Sequence, residues 1–225
     1  MLAHLKQTPV SLLLAGFAIL AFVIPGADEL LQLDFNRAAE GEWWRIITGH
    51  WTHFGASHLF WDLLMFVILA IACEVNAGKW FGPAIGLMAV LCSTAVALTC
   101  EQITVYRGLS GLDTGLFTWF VAGQLGRSLV SKEWSGGAVY AAMLVALLGK
   151  LGFETSTGDT LFVADGAFQP LVQVHIAGAT VGLIYSVSYP ASRVAFLGES
   201  QWRTWAATFR SRLTTFFGGT GSVHW

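Results

Sequence analysis

The sequence predicts an all-α membrane protein: a bundle of six transmembrane helices with a long outer first loop and a cytoplasmic amphipathic tail. Three observations carry that class. Only 12% of the 225 residues are charged and 55% are hydrophobic, with a mean hydropathy of +0.61. The charges sit in clusters, leaving apolar windows long enough to span a hydrocarbon core. Two spacings, Gly111-x-x-x-Gly115 and Gly178-x-x-x-Gly182, mark segments whose backbones can approach closely. A net charge of −2 gives no reason to expect nucleic acid.

The elements follow in order. Between Lys6 and Asp28 lie 21 uncharged residues, the first span. Lys6 ahead of an apolar run resembles a signal peptide, but Ile24-Pro25-Gly26 leaves no clean small-x-small cleavage site, so an uncleaved span is expected. Residues 28–56 form a long loop rich in aromatics and charge. The second span runs from about Ser57 to Glu74, with His58 and Asp62 inside it, and the third over Trp80–Cys100. The fourth starts at Ser110 and ends before Arg127. The fifth covers Trp134–Gly149 and the sixth about Pro170–Tyr189. Residues 1–190 make the six-helix domain. The tail, 191–225, carries Arg193, Arg203, Arg210 and Arg212 among Trp202, Trp205, Phe209, Phe216 and Phe217, as an amphipathic surface segment does. Cys73, Cys92 and Cys100 lie in or at the ends of apolar runs with no C-x-x-C pair, and read as small core residues.

Orientation follows from counting basic residues by side. Lys6, Lys79, Arg127, Lys132, Arg193, Arg203, Arg210 and Arg212 fall on one side. Arg37, Arg45, Arg107 and Lys150 fall on the other. Eight against four puts both termini in the cytoplasm. Spans two, four and six then all start at the outer face. His58, Asp62, Ser110 and His175 arrive at one depth, with His175 on the order of 8 Å in. Intramembrane ionisable groups are costly and mark function.

The passage Tyr106-Arg107-Gly108-Leu109-Ser110-Gly111-Leu112-Asp113-Thr114-Gly115 places a hydroxyl between glycines at a helix mouth. A capping box, with Ser110 as N-cap and Asp113 three residues on, accounts for it. A nucleophile beside oxyanion-binding N–H groups is the other account, the cap being the commoner use of such a stretch taken alone. His175 is either an interhelical hydrogen bond or the base for Ser110, and the two small-residue faces would bring them together if they meet. His58 and Asp62 are an i,i+4 pair on one face, structural or aimed at an oxyanion. His50-x-x-His53-x-x-x-x-His58 does not put three ligands on one helical face and no H-E-x-x-H occurs, so neither metal nor other cofactor is expected. His53 ties the outer loop to the bundle. Trp43 and Trp44 suit the headgroup zone, with Arg45 on phosphate or backbone carbonyls. Lys150 and Glu154 read as a surface ion pair.

Glu42-Trp43-Trp44-Arg45, Thr48 and His53-x-x-x-x-His58-x-x-x-Asp62 resemble the first loop and second helix of rhomboid intramembrane serine proteases. Gly108-Leu109-Ser110-Gly111 matches their Gly-x-Ser-Gly motif, and Val174-His175-Ile176-Ala177-Gly178 through Gly182 their sixth-helix histidine segment. The resemblance covers residues from about 30 to 190. It is nearer to the rhombosortase branch, through Asp34-Phe35-Asn36-Arg37, Gly41-Glu42-Trp43-Trp44-Arg45, Tyr106-x-Gly-Leu-Ser-Gly and Lys150-Leu-Gly-Phe-Glu154. The resemblance implies a bacterial inner-membrane protease that trims proteins bearing a C-terminal Gly-Gly sorting helix. Its partners are that transmembrane or anchor-helix substrate and membrane lipid. It implies Ser110 as nucleophile and His175 as general base and acid, with His58, Asp62 and Gly108 at the oxyanion and substrate. Trp44, Arg45, His53, Gly111, Gly115, Gly178 and Gly182 would be structural beside the site. The family pattern has asparagine where this chain has Asp62, and a carboxylate there repels an oxyanion unless neutralised. A catalytically silent relative that grips client helices is the alternative. A transporter fits less well, because the ionisable groups lie near one surface rather than at the midplane.

Overall fold

The computed structural model describes residues 8–100, 102–158 and 171–188. Those residues are mostly helical. Helix α1, Pro9–Val23, begins with proline in its first turn, where the missing N–H costs nothing. Its Val10 and Ser11 N–H groups donate to the buried Glu74 carboxylate at 3.0 and 2.8 Å. An acid at a helix N-terminus satisfies orphan donors and complements the dipole, so Glu74 pins α1 to the helix it sits on.

Residues 27–51 are more ordered than the expected loop. They form α2 (Ala27–Leu31), the two-residue strand β1 (Leu33–Asp34), α3 (Phe35–Ala39), α4 (Arg45–Thr48) and a 3₁₀ turn at Gly49–Trp51. The Asp34 carboxylate caps α3, accepting from the Asn36 and Arg37 N–H groups. Strand β1 pairs antiparallel with β2 (Val105–Tyr106), Leu33 opposite Tyr106. That pairing fastens the 27–51 segment to the turn just before Ser110.

Arg45 holds the segment together. It is fully buried, donating to the Glu29 and Gln32 carbonyls at 2.8 and 2.9 Å and to the Glu42 carboxylate. It therefore binds backbone carbonyls rather than lipid phosphate. Trp44 remains half-exposed, with its indole N–H donating to the Leu30 carbonyl at 3.3 Å. Arg45→Met strands two carbonyls and a carboxylate. It is expected to cost on the order of 2–4 kcal/mol, seen as a lowered unfolding midpoint in detergent, and Arg45→Lys recovers only part because lysine lacks the planar fork.

The remaining helices are α5 (Ala56–Ala77), α6 (Phe81–Thr99), α7 (Ser110–Ser131), α8 (Trp134–Thr157) and α9 (Val172–Ser188). Two helical stretches among the described residues are long and apolar enough to cross a membrane, Ala56–Thr99 and Trp134–Thr157. The first is broken by the 3₁₀ turn at Gly78–Trp80, where Gly78 takes a φ of +56°. Helix α7 carries Asp113, Thr114, Thr118 and Gln124 because it is central, packed against α9, α8, α5 and α6, and all four are buried. It also runs past Arg127, where the charge had marked a boundary, to Ser131. Helix α8 overshoots Gly149 by two turns and takes in Lys150 and Glu154. Lys6, the 159–170 segment and the amphipathic tail lie outside the described residues.

Helices α7 and α9 touch backbone to backbone. A Cβ on Gly178 would strike the Gly111 carbonyl oxygen, and one on Gly182 would strike that of Gly115. The two small-residue faces meet, as their spacing anticipated. The three cysteines are free and buried, with Cys73 Sγ 3.6 Å from the Leu116 carbonyl oxygen and Cys92 Sγ 3.9 Å from that of Val174.

Candidate active site

Ser110 opens α7 as its first helical residue. The N-cap is Leu109, with no side-chain cap, and Asp113 is buried with Oδ1 lacking a hydrogen-bond partner. The capping-box account is thereby excluded: Ser110 lies one position too far into the helix, and Asp113 turns into the bundle. By position, the N–H groups of Ser110, Gly111 and Leu112 have no intrahelical acceptor. They form a cluster of donors at the positive end of the helix dipole.

Asp62 sets where that cluster sits. Its Oδ2 accepts the Leu109 N–H at 2.8 Å and lies 3.2 Å from His58 Nε2 and 3.5 Å from His53 Nε2. The sequence expectation puts Asp62 beside the oxyanion; what its Oδ2 meets here is the serine loop and two imidazoles. The carboxylate is an acceptor already committed to the serine loop and two imidazoles, so it anchors the loop and has no donor to give an oxyanion. His53 links the segment before α5 to that helix through the same oxygen. Burial holds the His53 imidazole below its ordinary range, opposed by Asp62.

His58 lies against the serine loop. Gly108 has a φ of +121°, and a Cβ there would come within 2.8 Å of His58 Nε2 and 3.2 Å of Asp62 Oδ2. Glycine is required twice over, by conformation and by space. Phe54 stacks on the His58 ring, 6.2 Å between centroids and 9° between planes, and the Arg107 guanidinium sits 5.1 Å from the Phe54 centroid. Arg107 is fixed in turn by Asp28 and Gln32, each at 2.8 Å.

His50 supports the loop from behind. Its Nε2 is 3.0 Å from the Ala89 carbonyl oxygen, which only accepts, so Nε2 carries the proton. Burial pulls its pKa down to about 4. The native state thus keeps His50 neutral, while the unfolded chain takes up a proton below about pH 6.5. The unfolded state binds more protons between those limits, so stability is lost as pH falls through that window, by about 3 kcal/mol at its acid end. Unfolding midpoints measured from pH 7.5 to 4.5 are expected to fall steeply for the wild type and less so for His50→Gln.

His175 is buried on α9, one residue from Val174, which packs against Gly111. The contact of α9 with α7 therefore places the histidine's stretch beside the residue that follows Ser110. Ser110 and His175 share no hydrogen bond among the described residues. The serine hydroxyl is within reach of the buried Tyr106 phenol, whose pKa is driven well up by burial. Tyr106 itself donates to the Gly108 carbonyl at 2.9 Å.

The other side of His175 holds what sequence reading missed. Nδ1 is 2.9 Å from Glu154 Oε2, and Glu154 Oε1 is 2.7 Å from Lys150 Nζ. Glu154 is only 3% exposed, so the pair taken for a surface ion pair is half interior. The signal available was the i,i+4 spacing, which says nothing about which way the helix face points.

Residues 40–191 match the Rhomboid domain. No curated protein matches the chain. Because that match spans well over half the sequence and encloses His58, Asp62, Ser110, Glu154 and His175, the chain belongs to the rhomboid family.

Proposed function

We propose that this membrane protein is an intramembrane serine endopeptidase, with Ser110 as nucleophile and His175 as its general base. The observation that carries the reading is the backbone contact of Gly111 and Gly115 with Gly178 and Gly182, which draws the serine-bearing helix start and the histidine-bearing stretch together. In the first step Ser110 Oγ attacks the scissile carbonyl while His175 Nε2 takes the hydroxyl proton. The tetrahedral oxyanion is met by the Ser110 N–H at the open end of α7, with His58 as the side-chain donor. His175 then gives its proton to the leaving amine, and water hydrolyses the acyl-enzyme by the same route in reverse.

The substrate on this reading is a transmembrane or C-terminal anchor helix. It is unwound near small residues so that its carbonyl reaches a site set just below the outer surface. On this reading α1, α5, α6, α7, α8 and α9 serve as six spans with both termini in the cytoplasm of a bacterial inner membrane. The Tyr106-x-Gly-Leu-Ser-Gly and Lys150-to-Glu154 stretches favour the rhombosortase branch, hence Gly-Gly-tailed secreted proteins as clients. One observation favours a non-cleaving, helix-binding relative instead: among the described residues His175 contacts Glu154 and Lys150 through Nδ1 and makes no hydrogen bond to Ser110.

Co-expression with a Gly-Gly-tailed secreted protein, followed by mass spectrometry of its C-terminus, tests the choice. A new C-terminus made by the wild type and not by Ser110→Ala is expected. An intact tail that nonetheless co-purifies with the chain would favour binding without cleavage.

A further inference from the structure

The geometry points to Glu154 as a positioning residue for His175, making a Ser110–His175–Glu154 relay in which Lys150 fixes the carboxylate. The inference rests on the serine-protease reading just given. Helix α8 is peripheral: among its residues only Gly137 and Glu154 are buried, while Val139, Val145 and Leu148 on it are exposed. The sole buried side chain of an otherwise outward-facing helix is therefore a carboxylate. Burying a charge is costly unless it is paired and hydrogen-bonded, and within a membrane such groups mark function.

Glu154 uses each oxygen once. Oε1 is 2.7 Å from Lys150 Nζ, and Oε2 is 2.9 Å from His175 Nδ1. A carboxylate paired with lysine only accepts, so the histidine proton on that side is on Nδ1. Lys150 Nζ also lies 3.5 Å from Nδ1, but the Glu154 oxygen is nearer at 2.9 Å and can only accept, so the Nδ1 proton goes to the carboxylate. With Nδ1–H given to Glu154, Nε2 is left with its lone pair, as a base for a serine hydroxyl requires. The carboxylate also stabilises the imidazolium that forms when the proton arrives, in the way of a catalytic triad.

Among the described residues, the titratable groups on the helices packed against α9 are Tyr140, Lys150 and Glu154 on α8, Asp113 and Arg127 on α7, and Cys92 on α6. Only Lys150 and Glu154 make a contact with the His175 ring.

The test uses the full-length protein in detergent or liposomes. It compares wild type with Glu154→Gln, Glu154→Asp, the charge-neutral double variant Lys150→Met/Glu154→Gln, and Ser110→Ala as reference. Expected are a kcat lowered by roughly 10²-fold or more in Glu154→Gln at little-changed KM, and partial recovery in Glu154→Asp. The ¹⁵N spectrum of His175 is expected to show the Nδ1–H tautomer in the wild type and a mixture in the double variant. A structural ion pair would lower the unfolding midpoint without moving the tautomer. Wild-type kcat and an unchanged tautomer in folded Glu154→Gln and in the double variant, with Ser110→Ala inactive, would overturn the relay and leave the protease reading standing. Activity retained in Ser110→Ala would overturn the protease reading itself.

Discussion

Replacing Ser110 with alanine is expected to abolish proteolysis, by on the order of 10⁴-fold or more, while leaving expression and thermal stability near wild type. The asymmetry comes from where the hydroxyl sits. Leu109, not Ser110, is the N-cap, and the loop is held by Asp62 through the Leu109 N–H. Losing the hydroxyl forfeits a single side-chain hydrogen bond, with the Tyr106 phenol the group in reach, a change of about 1 kcal/mol. A residue that contributes so little to the fold at a helix mouth must owe its effect on activity to chemistry. His175→Ala should be equally inactive, but it leaves the buried Glu154 without its imidazole, so a lower unfolding midpoint is expected too. His175→Gln, which keeps a donor in reach of Glu154, separates the two effects: folded and inactive.

The second large effect is expected from a single methyl group. In Gly178→Ala the new Cβ meets the Gly111 carbonyl oxygen and, at 3.1 Å, the Gly115 backbone nitrogen. Neither is the end of a flexible side chain, so α7 and α9 must part by on the order of an ångström. Overpacking of this kind costs roughly 1–3 kcal/mol. An ångström between nucleophile and base costs about 10²-fold in rate, because the reacting atoms need near-contact alignment. Gly182→Ala strikes the Gly115 carbonyl oxygen and should act likewise. Gly126→Ala on α7 is the control: its Cβ meets nothing within 4 Å, so stability and cleavage should be unchanged. Unfolding midpoints and turnover for the three variants decide the matter, and Gly178→Ala behaving like Gly126→Ala would count against the helix contact.

Much of this was legible in the residues. The glycine spacings named the two helices that touch. What stayed hidden depended on direction and on partners far along the chain. Lys150 and Glu154 one turn apart look the same on a wet face and on a buried one. Glu154 was legible only once α8 was seen to continue past Gly149 and turn its last stretch toward α9. Asp62 carried no mark of its main partner, the Leu109 N–H, because a backbone donor 47 positions away has no sequence signature. The β1–β2 pairing is two residues long, too short for alternation to register. The end of α7 was misplaced because the charge of Arg127 marked a boundary that the helix runs past, to Ser131.

The account's central claim is that Ser110 is activated by His175. Its most direct test is the rate of fluorophosphonate labelling of the purified protein, with the modified residue located by peptide mass spectrometry. The account predicts labelling at Ser110 in the wild type and its loss in His175→Gln. Labelling at another residue, or equal labelling of Ser110 with and without the imidazole, would contradict it.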